Sequence, residues 1–183
     1  VSSCNALMML LDSIRNIAVI GAGTMGQGIA QVCALAGYSV KLYDIQADII
    51  KIGLAAIRKN LDASVAKNRI TSAQKDEALS RIQSVGDFRQ LQVDLAIEAV
   101  VEKVEVKHKI LSELEKINGI NCLIVSNTSS FPITQLASFL KHKERFAGLH
   151  FFNPAPAMKL VEIIRGAATT DHTIEVLGLF VGS

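Results

Sequence analysis

The sequence is poor in the residues that build metal sites and disulfide frameworks. It contains three cysteines and four histidines, and no C-x-x-C pair or Cys/His ligand spacing occurs among them. Cys4, Cys33 and Cys122 are unevenly spaced and lie mostly in apolar segments. We therefore expect reduced cysteines that pack as small core residues of an intracellular protein, and we expect no metal site.

The sequence also has no excess of charge of either sign. Its 19 Lys and Arg residues are balanced by 17 Asp and Glu residues, which leaves a net charge of +2. So small a net charge provides no bulk attraction to a polyanion. We therefore expect no nucleic-acid partner, although local basic groups remain available for a phosphorylated ligand.

Residues 16–40 lack Asp, Glu, Lys and Arg, but this segment does not have the composition of a membrane span. Five glycines and two glutamines interrupt it, whereas a spanning helix needs about 20 predominantly apolar residues. The N-terminus has neither the basic region nor the long apolar run of a signal peptide. We expect no membrane partner, and a location in the bacterial cytoplasm, or in the mitochondrial matrix of a eukaryote.

Prolines number only three, and no linker rich in Pro, Gly and Ser divides the chain. The 183 residues, half of them hydrophobic, suffice for one α/β domain with a real core. We assign residues 16–183 to this domain and residues 1–15 to an N-terminal extension. Met8 or Met9 is a candidate native start, in which case the residues before it are a remnant of expression.

The clearest positive signal is a glycine motif between a strand pattern and a helix pattern. An apolar segment over 16–20 runs into Gly21-x-Gly23-x-x-Gly26, and a helical pattern follows. This spacing permits a tight turn, close approach of a pyrophosphate, and close helix–strand packing. The helix N-terminus adds free N–H groups and a partial positive charge. The candidate cofactor residues of this loop are Gly21, Ala22, Gly23, Thr24, Met25 and Gly26.

An acidic residue, Asp44, completes the dinucleotide-binding pattern. It ends the second strand pattern, at about the separation expected of the carboxylate that bonds an adenosine ribose. A carboxylate there repels a 2′-phosphate, and Ile45, Gln46 and Ala47 supply no arginine to bind one. The pattern predicts NAD in preference to NADP, and the alternative is an ordinary βαβ unit with a surface aspartate.

Strand and helix patterns alternate along the rest of the chain. This predicts a Rossmann-type, doubly wound α/β fold with a mainly parallel sheet flanked by helices. Thr71 and Gln74 have the spacing of a capping box. The expected strands cover 16–21, 39–44, 82–85, 94–101, 122–126, 145–151 and 159–164. The expected helices cover 24–37, 47–68, 71–82, 103–117, a short segment from Pro132, and 171–181.

Polar side chains follow the fourth, fifth and sixth expected strands. In open α/β sheets, ligands lie outside the carboxyl ends of the strands. A nicotinamide and its substrate are therefore expected to meet near these residues. The polar candidates are Glu102, Asn127, Ser129, His150 and Asn153, and the apolar Ala99 and Val100 beside Glu102 are candidates for cofactor contact as well.

His150 is the natural general base of this group, because an imidazole titrates near neutral pH. Glu162 lies in an apolar strand pattern, where a carboxylate is costly unless it is paired. A turn through the intervening prolines would bring it back beside His150, as a buried acceptor for the imidazole N–H. The alternative is a core histidine with an outward-facing glutamate, and spacing alone does not decide between them. For Ser129 and Asn127 the alternative is loop capping, which spacing alone favours.

Together these residues resemble the N-terminal domain of the L-3-hydroxyacyl-CoA dehydrogenase family. The family includes 3-hydroxybutyryl-CoA dehydrogenases and the dehydrogenase part of multifunctional fatty-acid oxidation enzymes. The resemblance covers about residues 16–165. Besides the glycine loop and Asp44, it is carried by the segments 98–102, 126–130, 148–154 and 158–162.

The resemblance implies reversible hydride transfer between a 3-hydroxyacyl-CoA and NAD, which yields a 3-ketoacyl-CoA. His150 would take the C3 hydroxyl proton, Glu162 would orient and charge-stabilise His150, and Ser129 would hold the C3 oxygen. Asn153 would sit beside the nicotinamide and substrate. Glu102 and Lys107 match positions that contact the NAD riboses and neighbouring groups in relatives.

The resemblance also implies parts that this chain lacks. Members of the family continue into a helical C-terminal domain that forms a homodimer and closes over the acyl-CoA. We therefore expect a truncated NAD-binding domain that keeps NAD binding better than catalysis and tends to self-associate. The alternative is a non-catalytic NAD-binding module. The residues Lys51, Arg58, Lys59, Lys67 and Arg69 are candidates for the CoA phosphates or for a solvated helix face.

Overall fold

A computed structural model describes residues 14–183 of the chain. Seven strands form one sheet in the order β3-β2-β1-β4-β5-β6-β7. Six of the strands run parallel, and β7 is antiparallel to β6. The strands are β1 (Asn16–Ile20), β2 (Ser39–Tyr43), β3 (Ile82–Val85), β4 (Leu95–Glu98), β5 (Leu123–Ser126), β6 (Phe146–Phe151) and β7 (Val161–Arg165).

Helices cover both faces of the sheet. They are α1 (Thr24–Leu35), α2 (Ala47–Ala66), α3 (Ser72–Ser80), α4 (Val104–Asn118), α5 (Ile133–Ala137) and α6 (Asp171–Gly182). Ile17 and Val19 of β1 join the core under α1, α2, α3 and α6, whereas Ala18 and Ile20 join the core under α4 and α5. Because both faces are covered, the inner strands are apolar at nearly every position. The predicted doubly wound α/β fold is confirmed.

The expected elements are present, with shifts at their ends. The capping box is formed, since Gln74 N donates to Thr71 Oγ1 over 3.1 Å and Thr71 N donates to Gln74 Oε1 over 2.8 Å. The helix expected to begin at Pro132 begins one residue later, and Pro132 is its N-cap.

The strand expected over 94–101 is wrong in length. Only Leu95–Glu98 pair, on one side with β1 and on the other with β5. These neighbours end at Ile20 and Ser126, so after the bond from Ala99 N to the Ile20 carbonyl the chain has no strand left to pair with. The following residues turn away instead and begin the loop that contains Glu102, at the carboxyl ends of the parallel strands.

The boundary of the N-terminal extension also needs correction. Ile14, which we assigned to the extension, is buried in the core. The Asp94 carboxylate accepts hydrogen bonds from the backbone N–H groups of Arg15 and Asn16. Residues 14 and 15 therefore belong to the domain, whereas Cys4 and the candidate starts Met8 and Met9 lie outside the described residues.

Cys33 and Cys122 are buried thiols, as expected. Burial raises the pKa of each to about 12. None of the helices within residues 14–183 combines the length and the apolar composition of a membrane span.

Candidate functional site

The glycine loop lies at the carboxyl end of β1, and its geometry matches the shape of a pyrophosphate cradle. Gly21 has φ +103°, and a Cβ on it would lie 2.5 Å from the carbonyl oxygen of Ala99. A Cβ on Gly26 would lie 1.6 Å from the carbonyl oxygen of Gly21. These two glycines are therefore required for backbone packing.

Gly23 differs, because an added Cβ meets no described atom within 4 Å. It is exposed at the N-cap of α1, together with Thr24, and no side chain caps the helix there. The first N–H groups of α1 are therefore available to an anion. The loop fits the phosphates of a dinucleotide, with Ala22 buried and Met25 packed on the core.

Sequence reasoning missed one part of the cradle, Gly53 of α2. A Cβ on Gly53 would lie 2.8 Å from the carbonyl oxygen of Ala22. The helix thus packs directly on the back of the glycine loop. The available signal was a glycine within a long amphipathic helix, which usually has a packing reason.

Asp44 stands beside the glycine loop, as the dinucleotide pattern predicted. Its Oδ2 accepts a hydrogen bond from Ala22 N over 2.9 Å, and its Oδ1 accepts one from Gln46 N over 3.0 Å. The carboxylate is only partly buried. Two backbone donors therefore hold it in place while part of it stays open to a ligand.

His150 and Glu162 come together near the carboxyl end of β6. They are opposite each other in the β6–β7 pair, and His150 Nδ1 lies 3.0 Å from Glu162 Oε2. The imidazole also packs at 4.7 Å, ring centre to ring centre, from Phe152. The expected burial of Glu162 is wrong, since 52% of its side chain is exposed. The reason is that β7 pairs with β6 alone among the described strands.

The loop after β5 contains Asn127, whose side chain holds the loop in place, and Ser129, whose side chain is exposed. Asn127 Oδ1 accepts a hydrogen bond from Phe151 N over 2.8 Å and so ties this loop to β6. Ser129 is exposed, and its hydroxyl contacts that of Ser130 at 3.4 Å. Asn153, just past β6, is exposed as well. Asn127 therefore joins two strand ends over a long sequence separation, which differs from the local loop capping considered as its alternative.

A buried ion pair at the end of β4 was not foreseen. Lys107 and Glu98 are 0% exposed, and Lys107 Nζ lies 2.8 Å and 3.0 Å from the two oxygens of Glu98. The same ammonium lies 3.3 Å from Glu102 Oε1. The resemblance implied cofactor contacts for both Glu102 and Lys107, but only Glu102 is exposed. The signal for the pair was a glutamate inside an apolar strand, which requires a partner.

The remaining predicted residues lie in the turn after β4 and on helix α2. Ala99 N donates to the carbonyl of Ile20 over 2.8 Å, which joins the turn after β4 to β1. Val100 packs on the core under α4. Of the basic residues of α2, Arg58 and Lys59 line a groove of about 490 Å³ beside β3.

Several known proteins are similar to this chain in sequence. The family described as 3-hydroxyacyl-CoA dehydrogenase, NAD binding domain, matches residues 16–182. A 3-hydroxybutyryl-CoA dehydrogenase of Bradyrhizobium diazoefficiens is 48% identical, over 92% of this chain and 58% of the relative. A 3-hydroxyadipyl-CoA dehydrogenase of Escherichia coli is 41% identical, over 92% of this chain and 36% of the relative. The chain thus spans little more than half the length of the first relative and about a third of the second.

The solved structures agree. The crystal structure of (S)-3-hydroxybutyryl-CoA dehydrogenase from Ralstonia eutropha superposes with a TM-score of 0.90 at 42% identity. The similarity covers 92% of this chain and 60% of that one. The family match and a relative of 48% identity show that the chain belongs to the 3-hydroxyacyl-CoA dehydrogenase family, with residues 16–182 matching that family's NAD-binding domain.

Proposed function

We propose that this chain is the NAD-binding part of a dehydrogenase that oxidises a 3-hydroxyacyl-CoA to a 3-ketoacyl-CoA, reversibly. The observation that carries the proposal is the contact of His150 Nδ1 with Glu162 Oε2 at 3.0 Å. It lies at the same sheet edge as a glycine loop that fits a pyrophosphate. NAD, when bound, would supply the hydride acceptor.

His150 acts as the general base in this proposal. Its Nδ1 is engaged by Glu162, which leaves Nε2 to take the proton of the C3 hydroxyl. The glutamate fixes the tautomer and stabilises the imidazolium that forms, as the carboxylate of a catalytic triad does. In the reductive direction the same nitrogen returns the proton.

The other residues bind and orient. Ser129, exposed on the loop that Asn127 ties to β6, would hold the C3 oxygen, and Asn153 would lie beside the nicotinamide and substrate. Asp44 would accept a hydrogen bond from a hydroxyl of the adenosine ribose, and Glu102 would accept one from a hydroxyl of the other ribose. Lys107 would act through Glu102, because its ammonium is enclosed by Glu98 and Glu102.

The substrate class follows the names of the relatives, which act on 3-hydroxybutyryl-CoA and 3-hydroxyadipyl-CoA. The proposal includes a homodimer for the longer polypeptide and a cytoplasmic site of action. It also includes contact of the CoA phosphates with basic residues of α2 and the turn after it. Arg58 and Lys59 there border a groove that also has apolar walls, Leu54 and Ile82 among them.

The test is oxidation of NADH in the presence of acetoacetyl-CoA, followed at the NADH absorbance band. It is run on this chain and on a longer polypeptide that carries a helical C-terminal domain of the family. Turnover by the longer form, with NADH binding by both, supports the proposal. NADH binding without turnover in either form favours a non-catalytic NAD-binding module, and absence of binding contradicts the proposal.

A further inference from the structure

Two carboxylates share one ammonium at the carboxyl end of β4. Lys107 Nζ makes two short contacts with Glu98, at 2.8 Å and 3.0 Å, and one longer contact with Glu102, at 3.3 Å. Glu98 and Lys107 have no exposed side-chain surface, whereas 40% of the Glu102 side chain is exposed. The three formal charges sum to −1, and the exposed member is a carboxylate.

Glu98 is surrounded by donors from inside the protein. Besides Lys107, its Oε1 accepts from Val100 N over 2.8 Å, and its Oε2 accepts from Ser126 Oγ over 2.5 Å. Such a group is stable in the interior only because every oxygen is satisfied. Because Glu98 takes the closer, two-oxygen contact with the ammonium, it offsets most of the charge of Lys107. Glu102 therefore keeps its own negative charge.

Glu102 is also held in position from the neighbouring loop. Thr128 Oγ1 donates to Glu102 Oε2 over 2.7 Å. The same hydroxyl oxygen accepts from Ser130 N and Phe131 N, at 3.2 Å and 3.1 Å. The exposed carboxylate is thereby fixed beside the loop that carries Ser129, at the proposed nicotinamide end of the site.

We propose that Glu98 is a positioning residue that shifts the relative affinity of this site toward the oxidised form of the cofactor. This inference rests on the proposed function. By compensating Lys107, Glu98 leaves Glu102 as an uncompensated, fixed carboxylate. The nicotinamide ring is cationic when oxidised and neutral when reduced, so this carboxylate favours the oxidised form.

A cycle of charge changes separates this role from a merely structural one. In Glu98→Gln the cluster sums to zero, because Lys107 then compensates Glu102. In Glu98→Gln/Lys107→Met the buried pair is uncharged, and Glu102 again carries −1. Loss of fold or of loop order weakens binding of both cofactor forms, whereas loss of charge weakens binding of the oxidised form selectively.

The experiment measures Kd for NAD⁺ and for NADH by calorimetric titration of the 183-residue chain at fixed ionic strength. We expect Glu98→Gln to raise the ratio Kd(NAD⁺)/Kd(NADH) about fivefold, and the double variant to return it to within about twofold of the original chain. Glu113→Gln is the matched control. It removes one negative charge from α4 at an exposed pair with Lys116 and leaves the ratio unchanged.

The outcomes distinguish this inference from the proposed function. If the original chain binds neither cofactor form, the proposed function fails. If it binds both and Glu98→Gln leaves the ratio unchanged, or the double variant stays shifted, the role of Glu98 is overturned. Should Glu98→Gln fail to fold, Glu102→Gln gives the same zero charge with the buried pair intact. It must then raise the ratio while the double variant does not, and any other result overturns the proposal.

Discussion

His150 and Glu162 occupy opposed positions of the antiparallel pair β6–β7, with Nδ1 of the imidazole 3.0 Å from Oε2 of the carboxylate. A second pair of the same kind, His142 with Glu144, lies elsewhere on the surface at 3.3 Å. The two pairs differ in setting. The first lies near the carboxyl end of β6, next to the carboxyl ends of β4 and β5. The second belongs to a short 3-10 turn before β6.

Replacing Glu162 by glutamine is expected to reduce turnover much more than cofactor binding. The amide oxygen can still accept from the imidazole, but it does not stabilise the imidazolium, so kcat should fall about a hundredfold or more. The Kd for NADH should stay within about twofold. The readouts are kcat with acetoacetyl-CoA in whichever form turns over and NADH titration of this chain.

Glu144→Gln is the matched control for this change, since it alters the other His–Glu pair and should leave both quantities unchanged. Equal losses of kcat and of NADH affinity in Glu162→Gln would contradict the assigned role.

Alanine in place of two glycines of the loop should have different effects, one on stability and the other on NADH binding. Gly26→Ala places a Cβ 1.6 Å from a backbone oxygen and should unfold or strongly destabilise the domain. Gly23→Ala meets no described atom, so the fold should persist while NADH affinity falls about tenfold or more, because the methyl group occupies the pyrophosphate position.

The measurements for this pair are thermal unfolding and NADH titration. Gly178→Ala in α6 also points into open space among the described residues and serves as the control for both. A Gly23→Ala variant that binds NADH as well as the original chain would remove the cradle assignment.

Asp44→Asn should relax the discrimination against NADP. The side-chain oxygen of asparagine can still accept from Ala22 N, which keeps the contact with the glycine loop although the bond from Gln46 N is lost, and the charge that repels a 2′-phosphate is gone. We expect the ratio of Kd for NADPH to Kd for NADH to fall about tenfold. Asp48→Asn, which removes a nearby exposed charge paired with Lys51, should leave the ratio unaltered.

The buried thiol of Cys33 should make stability fall at alkaline pH. Burial raises its pKa from an ordinary value of 9.0 to about 12. The unfolded chain therefore releases this proton near pH 9, while the native chain holds it. The contribution is complete below pH 9 and is lost as the pH rises toward 12, with a slope of about 1.4 kcal/mol per pH unit.

Urea unfolding of the original chain and of Cys33→Ala across this range checks the slope. The variant should show the shallower decline whatever its stability at neutral pH. Ile29→Val, a core change on the same helix without a thiol, should lose stability and keep the original slope. Identical slopes in all three proteins would refute the assignment.

Most of the architecture could be predicted because its signals are local. The glycine spacing, the apolar strands and the Thr71–Gln74 box each specify backbone structure within a few residues of themselves. Element ends were less predictable. Where β4 stops depends on where β1 and β5 stop, which no local pattern in residues 94–101 records.

The candidate site divides in the same way. The residue types at the strand ends, Ser129 and His150 among them, were visible in the sequence, as was the acid at Asp44. The sequence did not reveal that Asn127 bonds to Phe151, that Gly53 abuts the glycine loop, or that Glu98 encloses Lys107. Each of these is a contact between segments that pack from different elements.

Two residues show where the division lies. By itself, the sequence determined that Gly21, Gly23 and Gly26 would form a turn open to a phosphate, because a missing side chain acts on its own backbone. Only the tertiary structure decided that Glu162 meets His150. A shift of one residue in the β6–β7 register would turn that carboxylate to the opposite face of the sheet. Register is set by the pairing of whole strands, and this long-range choice brings together the two residues of the proposed proton-transfer pair.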